Sequence, residues 1–312
     1  MTTKRPSSVE PLCRVVRFAA TDGVELAGLL YEPKRASQRA AIFLHGNGGA
    51  SVFEARRTNL LAQHFVDAGI AWFPFNNRGA HLLRRLKSVR GGRKKSVDGG
   101  MAFERIRDCV PDIDGAIREL RARGYREIHL VGHSTGANKI AVYDHYKPRN
   151  PIRTYVLLAG GDDTGLIYER LGPRRHRVAI EKARAMIRAK RGGEFAPPST
   201  AGALMTWTAF YDMANPDGDY NVFPFLEVLR DVKLSRRARF RHVRAIRKPA
   251  LFLYGEDDEY CYGDVSGCVG ILAEALGAKP NVELAILGES DHGFGGREEE
   301  LAQVIVGWIG EE

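Results

Sequence analysis

The stretch REIHLVGHSTGANKIAVY (126–143) joins an apolar run to a helical segment through a serine that lies between glycines. The run IHLVG has the near-continuous hydrophobicity of a strand that is buried on both faces, and GANKIAVY begins a helix. Ser134 is therefore predicted to lie at a sharp strand-to-helix turn. Gly132 and Gly136 lack side chains, so the strand and the helix can approach each other closely. The pattern predicts that this turn raises the Ser134 hydroxyl above the edge of a sheet.

The same alternation of apolar runs and helical segments continues along most of the chain. Strands are predicted at 40–46, 70–76, 126–133, 152–160, 249–255 and 282–288, and amphipathic helices at 52–69, 102–123, 136–147, 264–277 and 297–309. Pro111 predicts a kink or a restart in the second helix. Residues 14–33 alternate around Thr21-Asp22-Gly23, which predicts a hairpin. The expected fold class is α/β, with a mostly parallel central sheet, an N-terminal antiparallel hairpin and helices on both faces.

Residues 161–245 interrupt this alternation, because they contain helical segments but no clear buried strand. A segment of this length between two strands cannot be a simple connection. We predict a helical cap inserted before the last two strands, with residues 1–160 and 246–312 forming the core. The sequence leaves open whether the aromatic side chains of the cap line a pocket or pack the cap onto the core: Trp207, Phe210, Tyr211, Phe223 and Phe225.

The composition of the 312 residues is that of an ordinary globular protein with a net charge of +9. No signal-like or membrane-spanning apolar run is present, so a cytoplasmic location and no membrane partner are expected. The four cysteines form no disulfide framework or metal spacing, although a Cys261–Cys268 bridge stays open. Much of the positive charge lies in Arg84–Lys95, where no nucleic-acid motif occurs. We interpret this stretch as a solvated basic loop, with steering of anions as the alternative.

Two further residues fit the chemistry that a serine nucleophile needs, which is a base and a carboxylate that orients the base. Asp258 follows the strand at 249–255, and His292 follows the strand at 282–288. Ser134, Asp258 and His292 therefore each come just after the carboxyl end of a strand, where ligand crevices form in open α/β sheets. The sequence predicts that these three residues form a catalytic triad.

Other acids compete with Asp258 for the orienting role, and the sequence leaves Asp257 and Asp163 open as alternatives. Among the other histidines, His45, His129 and His133 are expected to support the structure by hydrogen bonding. An acyl-transfer site also needs donors for the oxyanion. The backbone amide of Thr135 is one candidate, and the amide of Asn47, in the glycine-rich loop His45-Gly46-Asn47-Gly48-Gly49, is the other.

The motifs HGNGG (45–49), GHSTG (132–136), YGEDDEY (254–260) and SDHGF (290–294) resemble those of α/β-hydrolase fold proteins in the same order, and the resemblance spans about residues 13 to 310. FNNRG (75–79), GGMAFERIRDCVPDI (99–113) and GHSTGANKI are similar to a branch that includes fungal siderophore esterases and bacterial hydrolases. The resemblance implies carboxylic ester hydrolysis through a Ser-Asp-His triad, without metal or organic cofactor. Arg78 of FNNRG is expected to organise the loop beneath the pocket, with substrate contact as the alternative.

The expected function is that of a serine esterase acting on a small-molecule ester, anionic esters included. Lactonase, amidase, peptidase and acyltransferase activity stay open, because the triad does not separate them. A non-catalytic ligand-binding protein and a nucleic-acid-associated protein are the competing classes, and no nucleic-acid partner is expected. The oligomeric state is not predicted.

Overall fold

The computed structural model describes residues 12–47 and 51–312. Its strands are β1 (Leu12–Ala19), β2 (Glu25–Glu32), β3 (Arg39–Leu44), β4 (Ile70–Asn76), β5 (Arg84–Arg90), β6 (Arg93–Gly99), β7 (Glu127–His133), β8 (Ile152–Leu158), β9 (Ala250–Gly255) and β10 (Val282–Leu287). Its helices are α1 (Arg56–Asp67), α2 (Cys109–Ala122), α3 (Thr135–Tyr146), α4 (Asp163–Leu171), α5 (Pro173–Arg188), α6 (Pro198–Ala201), α7 (Trp207–Ala214), α8 (Phe225–Leu229), α9 (Arg241–Ala245), α10 (Val265–Leu276) and α11 (Glu298–Glu311).

Eight of these strands form one sheet in the order β1-β2-β4-β3-β7-β8-β9-β10. From β4 to β10 all neighbours are parallel, whereas β1 and β2 form an antiparallel hairpin and β2 pairs with β4 antiparallel. The hairpin turns at Gly23, whose φ of 91° is a conformation that glycine adopts readily. The predicted fold class is confirmed.

Helices cover both faces of this sheet, because the parallel strands carry apolar residues on both sides. In β3, Ile42 belongs to the core cluster shared with α2, α3 and α10, whereas Ala41 and Phe43 belong to the cluster shared with α1 and α11. A short 3₁₀ turn precedes α2, and Pro111 lies in the first turn of α2, where its missing N–H costs no helical hydrogen bond. The proline therefore marks a restart.

The last strand differs from its prediction in one respect. The near-continuous apolar run VELAILG (282–288) predicts a strand that is buried on both faces, but β10 is the edge strand of the sheet and most of its residues are only partly buried or exposed. Ile286, for example, is 40% exposed. The apolar pattern indicated a strand correctly, but a residue pattern does not show which strand has no neighbour on one side.

The interpretation of Arg84–Lys95 as a loop is wrong, because these residues form most of a second, two-stranded antiparallel sheet from β5 and β6. The expected solvent exposure is confirmed for most of its basic residues. Gly91 and Gly92 both have positive φ, which is the conformation that a two-residue hairpin turn requires. Leu86 and Ser88 on one face are buried. The hairpin is fastened to the β1–β2 turn by a hydrogen bond from Val89 N to Gly23 O at 2.8 Å.

Helices α4 to α9 occupy the segment between β8 and β9, in agreement with its predicted helical content. Two of its aromatic side chains pack onto the core: Phe223 lies 6.4 Å from Phe252, and Phe225 lies 6.4 Å from Tyr254, between ring centroids. The segment shares one apolar cluster with the sheet. Its division into a separate cap at 161–245 stays a prediction.

Candidate active site

Ser134 lies between β7 and α3 with φ 57° and ψ −127°, a backbone conformation that residues with a side chain rarely adopt. Such geometry costs about 1–3 kcal/mol and persists only where the surroundings enforce it. Here the Ser134 N–H donates to Leu158 O of the neighbouring strand at 2.8 Å. The turn predicted from the sequence is therefore strained and held in place by the sheet.

The two glycines of the turn are required by close backbone contacts. A Cβ atom on Gly132 would lie 2.4 Å from Gly136 O, and a Cβ atom on Gly136 would lie 2.1 Å from Leu44 O. Neither position has room for a methyl group unless the backbone moves. The glycines thus allow β7, α3 and the end of β3 to meet around Ser134.

His292 and Asp258 meet at the carboxyl ends of the adjacent strands β10 and β9. His292 Nδ1 lies 2.9 Å from Asp258 Oδ1 and 3.0 Å from Oδ2. A carboxylate accepts hydrogen bonds, so Nδ1 carries the proton and Nε2 is left with its lone pair. The Asp258 side chain is 1% exposed and that of His292 12%. Water therefore competes little with this contact.

Neighbouring groups fix the His292 loop from three sides. His133 Nε2 lies 2.7 Å from His292 O, and the His292 N–H donates to Glu259 Oε2 at 3.1 Å. The Tyr260 ring packs edge-on against the imidazole, with 4.5 Å between ring centroids, and the backbone N–H of Tyr260 donates to Asp258 Oδ1 at 3.0 Å. His133 therefore has the supporting role expected for it. The sequence does not indicate these contacts of Glu259 and Tyr260, although they are the two residues after Asp258.

A cavity of about 420 Å³ lies above these residues, and we call it the serine cavity. Ser134, His292, Asn47 and Thr135 line it, and Asp258 lies directly behind His292. The structure thus brings all five predicted site residues to one place. Within the described part of the chain, no hydrogen bond joins Ser134 Oγ to His292. Catalytic hydrogen bonds are often long before substrate binds.

The loop after β3 forms the other wall of the serine cavity. His45 Nδ1 donates to Gly46 O at 2.7 Å, and Nε2 accepts from the Asn77 N–H at 3.2 Å, which confirms the expected supporting role of His45. Burial lowers the pKa of His45 to about 3, so the ring is neutral. Asn47 and Thr135 both line the cavity. Gly48 and Gly49 of the predicted oxyanion loop lie outside the described residues.

The alternative acids are placed differently from Asp258. Asp257 is exposed, and its N–H donates to Ser290 O. Asp163 lines the serine cavity, where its Oδ2 accepts from Asn138 Nδ2 at 3.2 Å. Burial, followed by the nearby Asp162 carboxylate, raises the pKa of Asp163 to about 7. Asp163 is therefore a second carboxyl group in the cavity, but the hydrogen bond to His292 belongs to Asp258.

Arg78 organises the loop that follows β4. Its guanidinium contacts Asp112 Oδ1 at 2.6 Å and Asp22 Oδ2 at 2.9 Å, and its backbone N–H donates to Asp112 Oδ2 at 2.9 Å. Both carboxylates come from other elements, α2 and the β1–β2 turn. The expected hydrogen-bonding role of Arg78 is therefore confirmed.

Residues 12–47 and 51–312 contain no group of three or more His, Cys, Asp or Glu side chains that could hold a metal ion. All four cysteines, which lie within these ranges, are free, and Cys268 Sγ lies 3.5 Å from Cys261 O instead of forming a bridge. In the same ranges, no helix combines the length and the apolar character needed to cross a membrane.

Solved structures resemble this chain over nearly its whole length. An esterase from Pyrococcus furiosus, PF2001, is 14% identical, with a TM-score of 0.60 over 100% of this chain and 95% of that chain. A soluble variant of monoglyceride lipase from Saccharomyces cerevisiae is 14% identical, with a TM-score of 0.62 over 99% of each chain. The α/β hydrolase GrgF from Penicillium sp. is 18% identical, with a TM-score of 0.61 over 96% of this chain and 98% of that one.

At these identities the likeness concerns the fold alone. No curated protein sequence gives a significant match to the chain. The model of the alpha/beta hydrolase family, however, matches residues 41–304, which is most of the sequence. The expected family is thereby confirmed, and the chain belongs to the alpha/beta hydrolase family.

Proposed function

We propose that the protein is a serine hydrolase that cleaves small-molecule carboxylic esters through an acyl-enzyme intermediate. The observation that carries the proposal is the His292–Asp258 hydrogen bond at the wall of a cavity that also contains Ser134 in a strained turn. A buried carboxylate fixes the imidazole with Nε2 free to accept a proton, and this is the requirement for activating a serine hydroxyl.

The reaction uses these groups in turn. His292 Nε2 takes the proton of the Ser134 hydroxyl as Oγ attacks the ester carbonyl carbon, and Asp258 stabilises the imidazolium that forms. The backbone amides of Thr135 and Asn47 donate to the oxyanion, and the N-terminus of α3 adds a favourable dipole. His292 then protonates the departing alcohol. In the second half His292 takes a proton from water, which attacks the acyl carbonyl carbon. His292 then gives this proton to Ser134 Oγ as the bond between Oγ and the acyl carbon breaks and the acid is released.

Family membership and structural neighbours support the reaction class. The alpha/beta hydrolase family gives hydrolysis as the general activity. Neighbours that share the fold are named an esterase, a monoglyceride lipase and a carboxylesterase, which favours ester substrates. The resemblance to siderophore esterases stays a prediction, as does the cytoplasmic location.

The experiment that tests the proposal compares wild type with Ser134→Ala on p-nitrophenyl esters of increasing acyl length. Loss of the nucleophile should lower kcat by about 10⁴- to 10⁶-fold, because the groups of a triad act as a unit. Circular dichroism and the melting temperature verify that the variant is folded. Unchanged turnover in a folded Ser134→Ala protein contradicts the mechanism.

A panel of lactones, anilides and alcohol acceptors tests the alternatives on the same residues. A kcat/KM for a lactone or an anilide above that for every ester would replace esterase by lactonase or amidase. Loss of that activity in Ser134→Ala would still support the serine mechanism. Ester substrates are expected to be turned over fastest.

A further inference from the structure

A second cavity, also of about 420 Å³, lies between the β5–β6 hairpin and the segment that follows β6. We call it the charged cleft and define it by Ser88, Arg90, Lys95, Phe103 and Arg105, which all line it. Its lining shares no residue with that of the serine cavity. The charged cleft is therefore a separate place on the molecule, and a ligand bound there does not depend on the proposed function.

The carboxylates that line the charged cleft are already neutralised. Each has a basic partner within 3 Å: Asp22 with Arg78, Asp98 with Arg85, Glu104 with Lys139, and Asp108 with Arg105. The Glu104–Lys139 pair is buried on both sides, so it is not free to rearrange toward a ligand. Among the described residues, no lining carboxylate is left to bind a further cation.

Two lining cations have no such partner. Neither Arg90 nor Lys95 forms an ion pair with any residue in 12–47 or 51–312. In the hairpin register, Lys95 pairs with Ser88 and Arg90 with Arg93, which places these three basic side chains on one face. Like charges opposite each other destabilise a β-ladder. The face therefore carries an uncompensated positive charge that an anion would relieve.

The hairpin that carries these cations is fixed to the body of the protein. Leu86 and Ser88 are buried, Val24 forms a β-bridge to Ser88, and a Cβ atom on Gly23 would lie 2.2 Å from Val89 O. The cations thus extend from an anchored base, and binding would require little ordering of the backbone. Preorganisation of this kind increases affinity.

We propose that the charged cleft binds a small organic anion. Its carboxylate or phosphate group would lie against Arg90 and Lys95, and its apolar part would lie against the lining side chains of Leu86, Val97 and Phe103. The volume is within the range of small-molecule sites. A long anionic polymer would contact the outer face of the hairpin as well, and this difference separates the two kinds of partner.

The hairpin offers a matched control for the test. Lys87 pairs with Ser96 and Lys94 with Val89, so both lysines lie on the face opposite to that of Arg90 and Lys95. Arg90→Ala/Lys95→Ala and Lys87→Ala/Lys94→Ala each remove two positive charges from the same exposed hairpin. Only the first pair removes them from the charged cleft.

The experiment is calorimetric titration of wild type and both double variants with phenyl phosphate, benzoate and inorganic phosphate. We expect saturable one-site binding of a ring-bearing anion. It should weaken about tenfold or more in Arg90→Ala/Lys95→Ala, because charge-assisted hydrogen bonds are lost. The change should be less than about threefold in the control double variant. Stronger binding of phenyl phosphate than of benzoate identifies a phosphate ligand, and the reverse order identifies a carboxylate.

Several outcomes overturn the proposal. The proposal is wrong if none of the three probes shows saturable binding at concentrations up to about 10 mM, which is the range of weak sites. Binding that survives in Arg90→Ala/Lys95→Ala locates the anion elsewhere, the serine cavity included. Equal affinity for inorganic phosphate and for the ring-bearing anions would show that the apolar side chains of the charged cleft do not contribute to binding, which contradicts the proposed organic anion. Equal weakening by both double variants, with binding of single-stranded RNA, identifies a nucleic-acid surface instead.

Discussion

The serine cavity and the charged cleft have about the same volume, and the chain segment after β6 contributes Met101 to one and Phe103 to the other. Their charges are arranged in opposite ways. In the serine cavity, the cation that would form during a reaction, His292, already has Asp258 behind it. In the charged cleft, Arg90 and Lys95 have no such carboxylate among the described residues. The first arrangement suits a positive charge that forms on His292 only during a reaction. The second suits a permanent positive charge that is neutralised when an anionic ligand binds.

The two cavities also differ in the backbone structure that carries their charged residues. Ser134, Asp258 and His292 follow parallel strands whose carboxyl ends meet at one edge of the sheet, so the position of each is set by the sheet. The cations of the charged cleft belong to a two-stranded ribbon with an exposed tip. Substitutions are therefore expected to change the rate by several orders of magnitude in the serine cavity, and to change ligand affinity by less, about tenfold, in the charged cleft.

The largest effect is expected for Asp258→Asn. An amide at this position would reverse the preference for Nδ1–H in His292, and the loss of the correct tautomer costs about 10⁴-fold in kcat in comparable sites. The measurement is kcat for the best ester at neutral pH. Asp257→Asn, one residue away but exposed, is the control and should retain wild-type activity. If the Asp257 and Asp258 variants were equally active, the role of Asp258 would have to be abandoned.

The next effect concerns the backbone that raises Ser134. Gly136→Ala would place a methyl group 2.1 Å from Leu44 O, and we expect a loss of about 3 kcal/mol or more in the free energy of unfolding. Gly270 of α10 has open space around it, so Gly270→Ala should instead stabilise the helix by up to about 1 kcal/mol. Urea unfolding measures both. Equal stability of Gly136→Ala and wild type would contradict the tight contact.

The smallest of these effects is the pH dependence of the free energy of unfolding that the carboxyl group of Asp163 causes. Its pKa is raised to about 7 by burial and by Asp162, and lowered in part by His292 and Lys139. The folded state therefore holds this proton up to about pH 7, whereas the unfolded chain releases it near pH 4. Ionisation thus costs stability as the pH rises from about 4 to 7, and the cost is fully present above pH 7.

Asp163→Asn removes this cost. The shift alone corresponds to about 4 kcal/mol, but the side chain faces the cavity and is partly exposed, so we expect about 2 kcal/mol. The free energy of unfolding of the variant, relative to wild type, should accordingly increase by this amount between pH 4.5 and pH 8. Urea unfolding at the two pH values measures it. A difference that does not change with pH would show that Asp163 is ionised throughout.

Much of the sheet and of the site can be predicted from local patterns in the sequence. A short apolar run between helical segments identifies a parallel strand, and the residues just after such strands are brought to one edge by the topology. For this reason the sequence alone indicates that Ser134, Asp258 and His292 lie close together. The edge position of β10 could not be predicted, because it depends on the order of the strands in the sheet, and the apolar pattern of a single strand does not show this order.

The contacts between loops that are distant in the chain could not be predicted from the sequence. Tyr260 packs on His292 because β9 and β10 are adjacent. The ion pair of Glu104 with Lys139 places a charged residue on α3, a helix most of whose residues are buried. The β5–β6 hairpin was missed for a different reason. Its many charged residues predict exposure to solvent, so the alternation of exposed and buried residues in β5 is hard to recognise in the sequence. Gly91 and Gly92 form the turn between β5 and β6.

The central claim is that the Ser134 hydroxyl is activated as a nucleophile. Intact-mass spectrometry after treatment with a fluorophosphonate, followed by peptide mapping, tests it directly. We predict one adduct per chain, located on Ser134, and much slower labelling of Asp258→Asn. The absence of an adduct under conditions that label a control serine esterase, or an adduct on another residue with Ser134 unmodified, would contradict the account.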